Sequence, residues 1–301
     1  MDISKYELFA KTAELNNLSA AADYLGYTQS AASHIISVLE SELGVTLFTR
    51  SRHGMELTSN GKALLPHVYS LLQDENRIRE LALSIQGIES GQITVTSISH
   101  ITIHWLSFIV SEFIELHPGI NVDLLDGSYA QINRWVASGR VDVGICIKTH
   151  VPDMKFELLA SDTLFAVINE KNPLSKKTII SLEDFENEVF IVPSQGTQQD
   201  IINLIGNIHI RPKPYINAVG DATALALVRQ NLGITLLPGI LLSSSELNHL
   251  AIRRIDGCKT HSIGIASNPH FELSPAAALF VDFTKKWVSH HLENDAHMYP
   301  N

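Results

Sequence analysis

Apolar residues recur with a helical period at the start of the chain. Tyr6, Phe9, Ala10 and Ala13 fall at i, i+3, i+4 and i+7, one stripe of an amphipathic helix over Ile3 to Asn16. Ser19 is the expected N-cap of a second helix, built on Ala20-Ala21-Ala22-Asp23-Tyr24-Leu25, whose small residues admit a close neighbour; Gly26 is placed to end it. Thr28 is the expected cap of a third helix. There Ala32, Ile36, Leu39 and Leu43 face inward, while Gln29, Ser30, Ser33, His34 and Ser37 form a polar outer face. Two helices joined by a tight Gly-containing turn match the helix-turn-helix that lays its second helix in the DNA major groove. A polar outer face is also what any solvated helix shows, so this pattern alone leaves an ordinary three-helix bundle open.

The next segment favours the DNA reading. Leu47 to Arg50 and Met55 to Thr58 read as two short strands around Ser51-Arg52-His53-Gly54, a hairpin with Arg50, Arg52 and His53 at its tip. Arg50 and Arg52 are two of the four Lys or Arg in residues 1–59. The scarce positive charge therefore sits where a wing would meet phosphate or the minor groove, though a merely solvated hairpin is the alternative. Thr58 is then the expected cap of a long helix reaching about Ile88. In it Leu64, Leu71, Ile78 and Ile85 repeat every seven residues, and Val68 and Ala82 supply part of a second seam. Glu75 interrupts that seam and Pro66 falls in the early turns, so the pattern predicts an imperfect dimer stripe. A helix packed on its own domain is the competing reading.

From Gln92 the pattern changes to alternating strands and helices. Strands are expected at Gln92 to Ser97, Asn121 to Leu125, Asp142 to Ile147, Leu164 to Ile168, Val189 to Val192, Gly233 to Leu237, Ala251 to Ile255 and Ser262 to Ala266. Helices are expected near Thr102 to His117 and Tyr129 to Gly139, after Gly196 and Asp221, and from Ser274 to about Leu292. The fold class is thus α/β overall, with an all-α winged segment and a linker helix in front. The expected division is 1–58 for the winged helix-turn-helix and 59–90 for the linker helix. Residues 91–301 form a two-lobed domain, lobe one at about 91–161 and 267–301 and lobe two at about 162–266.

Composition narrows the function classes. The 301 residues are 45% hydrophobic and 18% charged, and the most apolar stretch, Leu232 to Leu242, is interrupted by Gly233, Pro238 and Gly239. No apolar run approaches the roughly 20 residues of a membrane span. The N-terminus lacks a signal-peptide core, so a cytoplasmic protein is expected. Cys146 and Cys258 are far apart and lack metal-ligand spacing, which argues against a disulfide framework. The sequence has no G-x-S-x-G elbow, no G-x-x-x-x-G-K loop and no H-E-x-x-H pair, so an enzyme is not expected. His100 and His104 share a helical face without a third ligand nearby, so no metal and no cofactor are expected. The net charge is −10, and residues 1–90 hold seven Lys and Arg against eleven Asp and Glu, a balance of −4. Bulk electrostatics therefore does not suggest DNA, because phosphate neutralisation supplies most non-specific affinity.

The stretch from Tyr6 to Leu72 resembles the N-terminal domain of LysR-type transcriptional regulators. The residues that carry the likeness are Phe9 and Ala13; Leu18-Ser19-Ala20-Ala21-Ala22 and Leu25; Gln29-Ser30-Ala31-Ala32-Ser33, Ile36 and Leu39-Glu40; Glu42-Leu43-Gly44-Val45 and Leu47-Phe48; and Arg50, Gly54, Leu57-Thr58 and Gly61. The rest of the chain follows the family layout more loosely. The resemblance implies base contacts by the outer face of the third helix and backbone contacts by the wing. It departs from the family pattern at Ser30, where Pro is usual, His34 and His53, where Arg is common, and Ile35, where a polar residue is usual. It further implies a periplasmic-binding-protein-like domain with an effector between its lobes. The segments at strand ends and helix starts then nominate Ser99, His100, Thr102, Ser128, Thr197, Gln198 and Asp221 as effector contacts; simple helix capping is the plain alternative. The partners implied are double-stranded promoter DNA, an unidentified small-molecule effector, a second copy forming a dimer or a tetramer of dimers, and RNA polymerase as a further candidate. A solute-binding protein without DNA binding is the rival; it calls for an export signal and no helix-turn-helix.

Overall fold

In the computed structural model, residues 2–51, 54–186, 188–193, 215–218, 220–242, 247–258 and 260–294 are described. Three helices open the chain: α1 (Ile3–Leu15), α2 (Leu18–Leu25) and α3 (Gln29–Leu43). Asp2, Asn17 and Thr28 cap them by accepting from Ser4, Ala20 and Ala31 N–H groups. The cap of α2 is thus Asn17, and Ser19 lies inside the helix. An antiparallel pair follows, β1 (Phe48–Ser51) and β2 (Gly54–Leu57), then α4 (Ser59–Ile85), capped by Thr58. The first core gathers Leu8, Phe9, Ala21, Ala22, Ala32, Ile36, Leu39, Leu47 and Phe48, and takes Val68 and Tyr69 from α4. Leu43, expected inward, is 37% exposed.

Among the described residues the second half is built on two larger sheets and one two-stranded pair. The first has five strands in the order β4-β3-β5-β13-β6, from β3 (Gly91–Ser97), β4 (Ile120–Asp126), β5 (Val143–Ile147), β6 (Lys155–Asp162) and β13 (His261–Ser267). β3 runs parallel to β4 and β5, and β13 runs antiparallel to β5 and β6. Around this sheet pack α5, helical without a break through Ser99–Ile101, Thr102–Leu106 and Ser107–Leu116, then α6 (Tyr129–Ser138) and α9 (Pro275–Asn294). The second sheet has the order β11-β7-β12-β8, from β7 (Leu164–Asn169), β8 (Ile179–Ile180), β11 (Thr235–Pro238) and β12 (Leu250–Ile255). A parallel pair, β9 (Phe190–Pro193) and β10 (Tyr215–Ala218), joins its edge through Phe190 and Ile234. The helices α7 (Asp221–Arg229) and α8 (Gly239–Leu242) belong to this lobe.

The chain crosses between lobes at β6–β7 and at β12–β13. Because β13 pairs with β5 and β6, the return to the first lobe precedes His261 and not residue 267. At the first crossing the buried Asp162 accepts from Thr163 N (2.7 Å), Gly239 N (3.0 Å) and Ile240 N (3.1 Å), so one carboxylate ties the crossing strand to the start of α8. β6 has no counterpart in the sequence expectations. It is an edge strand in which apolar residues alternate imperfectly with Lys155, Glu157 and Asp162.

The linker helix is fastened to the first lobe. Gln73 Nε2 donates to Asp142 Oδ1 (3.4 Å), whose other oxygen accepts from Thr94 N (2.7 Å). Withdrawal from solvent pushes the Asp142 carboxyl from 3.8 up to about 6. A raised folded-state value means the stability it contributes is fully present below 3.8 and lost as pH rises through 6. Asp142→Asn is therefore expected to stabilise the protein at pH 7.5 by on the order of 1–2 kcal/mol and to have a smaller effect at pH 5. Urea unfolding at the two pH values checks this; an equal or destabilising effect at pH 7.5 refutes it.

Candidate nucleic-acid interface and effector cleft

Along α3, Thr28, Gln29, Ser30, His34 and Ser37 are exposed and Ser33 is half-buried, so these side chains share one outward face. The Thr28 and Ser30 hydroxyls lie 3.2 Å apart, and Ser37 Oγ donates back to the Ser33 carbonyl at 2.9 Å. Ile35 is half-buried and packs against the first core, so an apolar residue here serves the fold. Arg50 is exposed on β1, opposite Met55; Arg52 and His53 lie outside the described residues.

The recognition face and the wing are held as one body. Glu40, on the inner side of α3, accepts from Leu47 N (2.6 Å) and Phe48 N (3.3 Å), fixing the start of β1 to the helix. Met55 N donates to the Asn16 carbonyl at 2.9 Å, fixing β2 to the end of α1. Gly54 has φ +113 beside that carbonyl, and a Cβ there would overlap Asn16 O, so both conformation and space require glycine. A carboxylate intrudes on the wing: Glu56 faces Thr49 and accepts from Ser51 Oγ at 2.5 Å.

Part of the expected dimer stripe is used otherwise. Val68 is 5% exposed inside the winged-helix core and Leu64 packs against the same core, because the start of α4 must cover α1. The reading of Val68 as a seam residue is corrected accordingly. Leu71 is half-buried, whereas Ile78 is 69% and Ile85 87% exposed, with Leu81 beside them.

In the first lobe, Ser99 and Thr102 converge on a carboxylate that the sequence reading did not include. Ser99 Oγ donates to Asp126 Oδ2 at 2.6 Å and Thr102 Oγ1 lies 3.5 Å from Asp126 Oδ1, Asp126 being the last residue of β4. His100 is buried at the start of α5, its Nδ1 3.9 Å from Oδ2 of Asp221 at the start of α7, so this pair spans the two lobes. Ser128 opens α6 and donates through N and Oγ to Gln131 Oε1 (3.0 and 2.8 Å), while Tyr129 stacks on His150 with ring centres 3.7 Å apart. Thr197 and Gln198 lie outside the described residues. The position of Asp126 two residues before the nominated Ser128 was the available signal; the stacked His150 had none.

Burial pushes the Cys146 thiol up to about 12, so it stays protonated at neutral pH. Burial also lowers His104. Among the described residues no group of three or more His, Cys, Asp or Glu could hold a metal ion, and no helix is long and apolar enough to cross a membrane.

Comparison with known proteins decides the family. Residues 3–62 match the bacterial regulatory helix-turn-helix proteins of the lysR family, and residues 86–289 match the LysR substrate binding domain. The chain belongs to the LysR family. It is a LysR-type DNA-binding transcriptional regulator with a substrate-binding effector domain. The solute-binding alternative is not favoured. The Bacillus subtilis transcriptional dual regulator GltC is 26% identical over 96% of this chain and 98% of its own. A second B. subtilis protein, the uncharacterized HTH-type transcriptional regulator YvbU, is 28% identical over 95% and 98%. Among solved structures, full-length OxyR of Pseudomonas aeruginosa shares the fold with a TM-score of 0.73 at 18% identity over 95% of this chain and 98% of its own. CbnR in complex with its target DNA gives 0.61 at 22% identity over 95% and 99%.

Proposed function

We propose that this regulator works in the cytoplasm as a homodimer, assembled further into a tetramer, and reads promoter DNA through α3 and the wing. Gln29, Ser30, Ser33 and His34 would meet base edges, Thr28 and Ser37 would flank them, and Arg50 with Arg52 and His53 would engage phosphate or the minor groove. The observation that carries this reading is the Glu40 bridge, which makes the exposed Gln29 face and the Arg50 strand one rigid unit. The exposed Ile78, Leu81 and Ile85 of α4 are the surface left for a second copy. An effector bound between the lobes would meet Ser99, His100, Thr102 and Ser128 of the first lobe and Asp221 of the second, together with Thr197 and Gln198. It would favour one lobe arrangement only to the extent that it binds the two arrangements with different affinity. Contact with RNA polymerase belongs to the same reading.

The test is DNase footprinting on DNA upstream of the protein's own gene and its neighbour, at fixed low salt. Protection over half-sites about one helical turn or more apart is expected. Gln29→Ala is expected to weaken it about 5- to 150-fold, the range of one lost bidentate base contact. Protection indifferent to Gln29→Ala would move base readout to another part of the helix or the wing. With few cations in residues 1–90 and Glu56 on the wing, the log-log salt slope of binding is expected to be well shallower than that of a protein neutralising about ten phosphates. Binding titrations across a salt series measure it, and a slope that steep refutes the charge argument.

A further inference from the structure

We propose that the Arg140–Glu14 ion pair is a latch holding the winged helix against the first lobe, and that α6 carries the state of the effector cleft to it. Glu14, in the last turn of α1, pairs with Lys11 at 2.9 Å, accepts from the Tyr69 hydroxyl at 3.5 Å, and lies 3.6 Å from Arg140 Nε. Arg140 follows the last turn of α6, its guanidinium lying over the Trp135 ring at 4.9 Å. The two side chains are 19% and 22% exposed. Beside them runs a crevice of about 460 Å³, lined by polar side chains such as Glu7, Gln92 and Asp123 and by apolar ones such as Ala10 and Leu124. This crevice lies between α1 and the first lobe, so apart from the Gln73 and Glu80 contacts made by α4 the ion pair is a direct tie between the two domains, as expected of domains that change their relation. Losing Arg140 leaves Glu14 paired with Lys11, so opening the latch strands no charge in α1.

The other end of α6 opens at Ser128 and Tyr129, and this end rests on the effector-cleft reading above. Between the two ends the helix packs through the buried Ile132 and Val136, and Asn268 Nδ2 donates to the Val136 and Ala137 carbonyls at 3.3 and 2.8 Å. Ten helical residues span about 15 Å, and a close-packed rod of that length transmits a shift at its first turn to its last. A ligand that displaces Ser128 therefore changes the distance between Arg140 and Glu14.

The test needs no effector. Spin labels are placed at Asp23→Cys and Ala137→Cys in full-length protein carrying Cys258→Ser, diluted with unlabelled chain so that only intrachain distances report. Arg140→Gln is expected to shift the distribution to longer distances, raising the open-to-closed ratio up to about fivefold, the upper range for a partly exposed ion pair. Glu14→Gln is expected to do the same, the double variant to go no further than either single one, and Arg140→Lys to retain the closed population. Unchanged distances in either single variant, or additive shifts in the double, overturn the latch. Ser128→Ala is expected to shift the same distribution. If it does not while the pair behaves as stated, the role of α6 falls and the latch stands.

Discussion

Phe9→Ala is expected to unfold the winged helix at 37 °C and to abolish footprinting while the two-lobed domain stays folded. Phe9 is 1% exposed, and its ring meets Phe48 edge-on at 5.3 Å, so it joins the recognition scaffold to the wing. Truncating a buried Phe costs about 3–5 kcal/mol. A domain of roughly 60–70 residues seldom holds more than about 3–5 kcal/mol in total, so the loss consumes all of its stability. Calorimetry should show one transition missing and the larger one unmoved, with operator affinity reduced more than a hundredfold. Retention of both transitions and of DNA binding would mean that Phe9 is not the keystone of this core.

Phe9 could be found from the sequence because helix stripes and caps are local. Phe9, Ala32, Ile36 and Leu39 announce themselves by spacing, and Thr28 and Thr58 by standing just before a helical pattern begins. Leu8 fell outside the i, i+3, i+4, i+7 stripe on α1 yet is fully buried, since α4 covers a second side of that helix. Val68 shows the same limit in reverse. A heptad position says that a side chain is covered, not by what, and the covering surface belonged to the chain's own first domain.

The candidate cleft was legible only in part. Strand ends and helix starts directed attention to Ser99, Thr102 and Ser128, but the residue that organises two of these hydroxyls is Asp126, on a different strand. Its presence changes the chemistry expected there. A carboxylate at the hydroxyl pair opposes an anion and favours a ligand group that donates hydrogen bonds, which helix N-termini alone would not have suggested.

Glu80→Ala is expected to lower the unfolding midpoint of the two-lobed domain by roughly 5–10 °C, leaving the winged-helix transition in place. A glutamate in the middle of a helix reads as a solvated charge, yet Glu80 is 2% exposed. Its Oε1 accepts from Asn76 Nδ2 (2.9 Å) and Gln92 N (3.2 Å), and its Oε2 from Ala276 N (3.2 Å) in the first turn of α9, where free N–H groups favour an anion. Gly91 makes this approach possible, because a Cβ there would lie 2.8 Å from the carboxylate and 2.7 Å from Ala276. One side chain thus rivets the linker helix, β3 and α9 together. Removing it leaves the buried Ala276 N–H unpaired and takes an acceptor from two part-buried donors, at a cost of about 1–3 kcal/mol for each poorly resolvated group. Glu80→Gln, which keeps one acceptor oxygen, should lose less. A midpoint shift equivalent to about 0.5 kcal/mol or less, the range of ordinary surface substitutions, would show that the linker helix is held to the first lobe by its other contacts. Otherwise the loss at Glu80 should also slacken the orientation of the linker helix, weakening DNA binding in a protein whose winged helix still melts at its usual temperature.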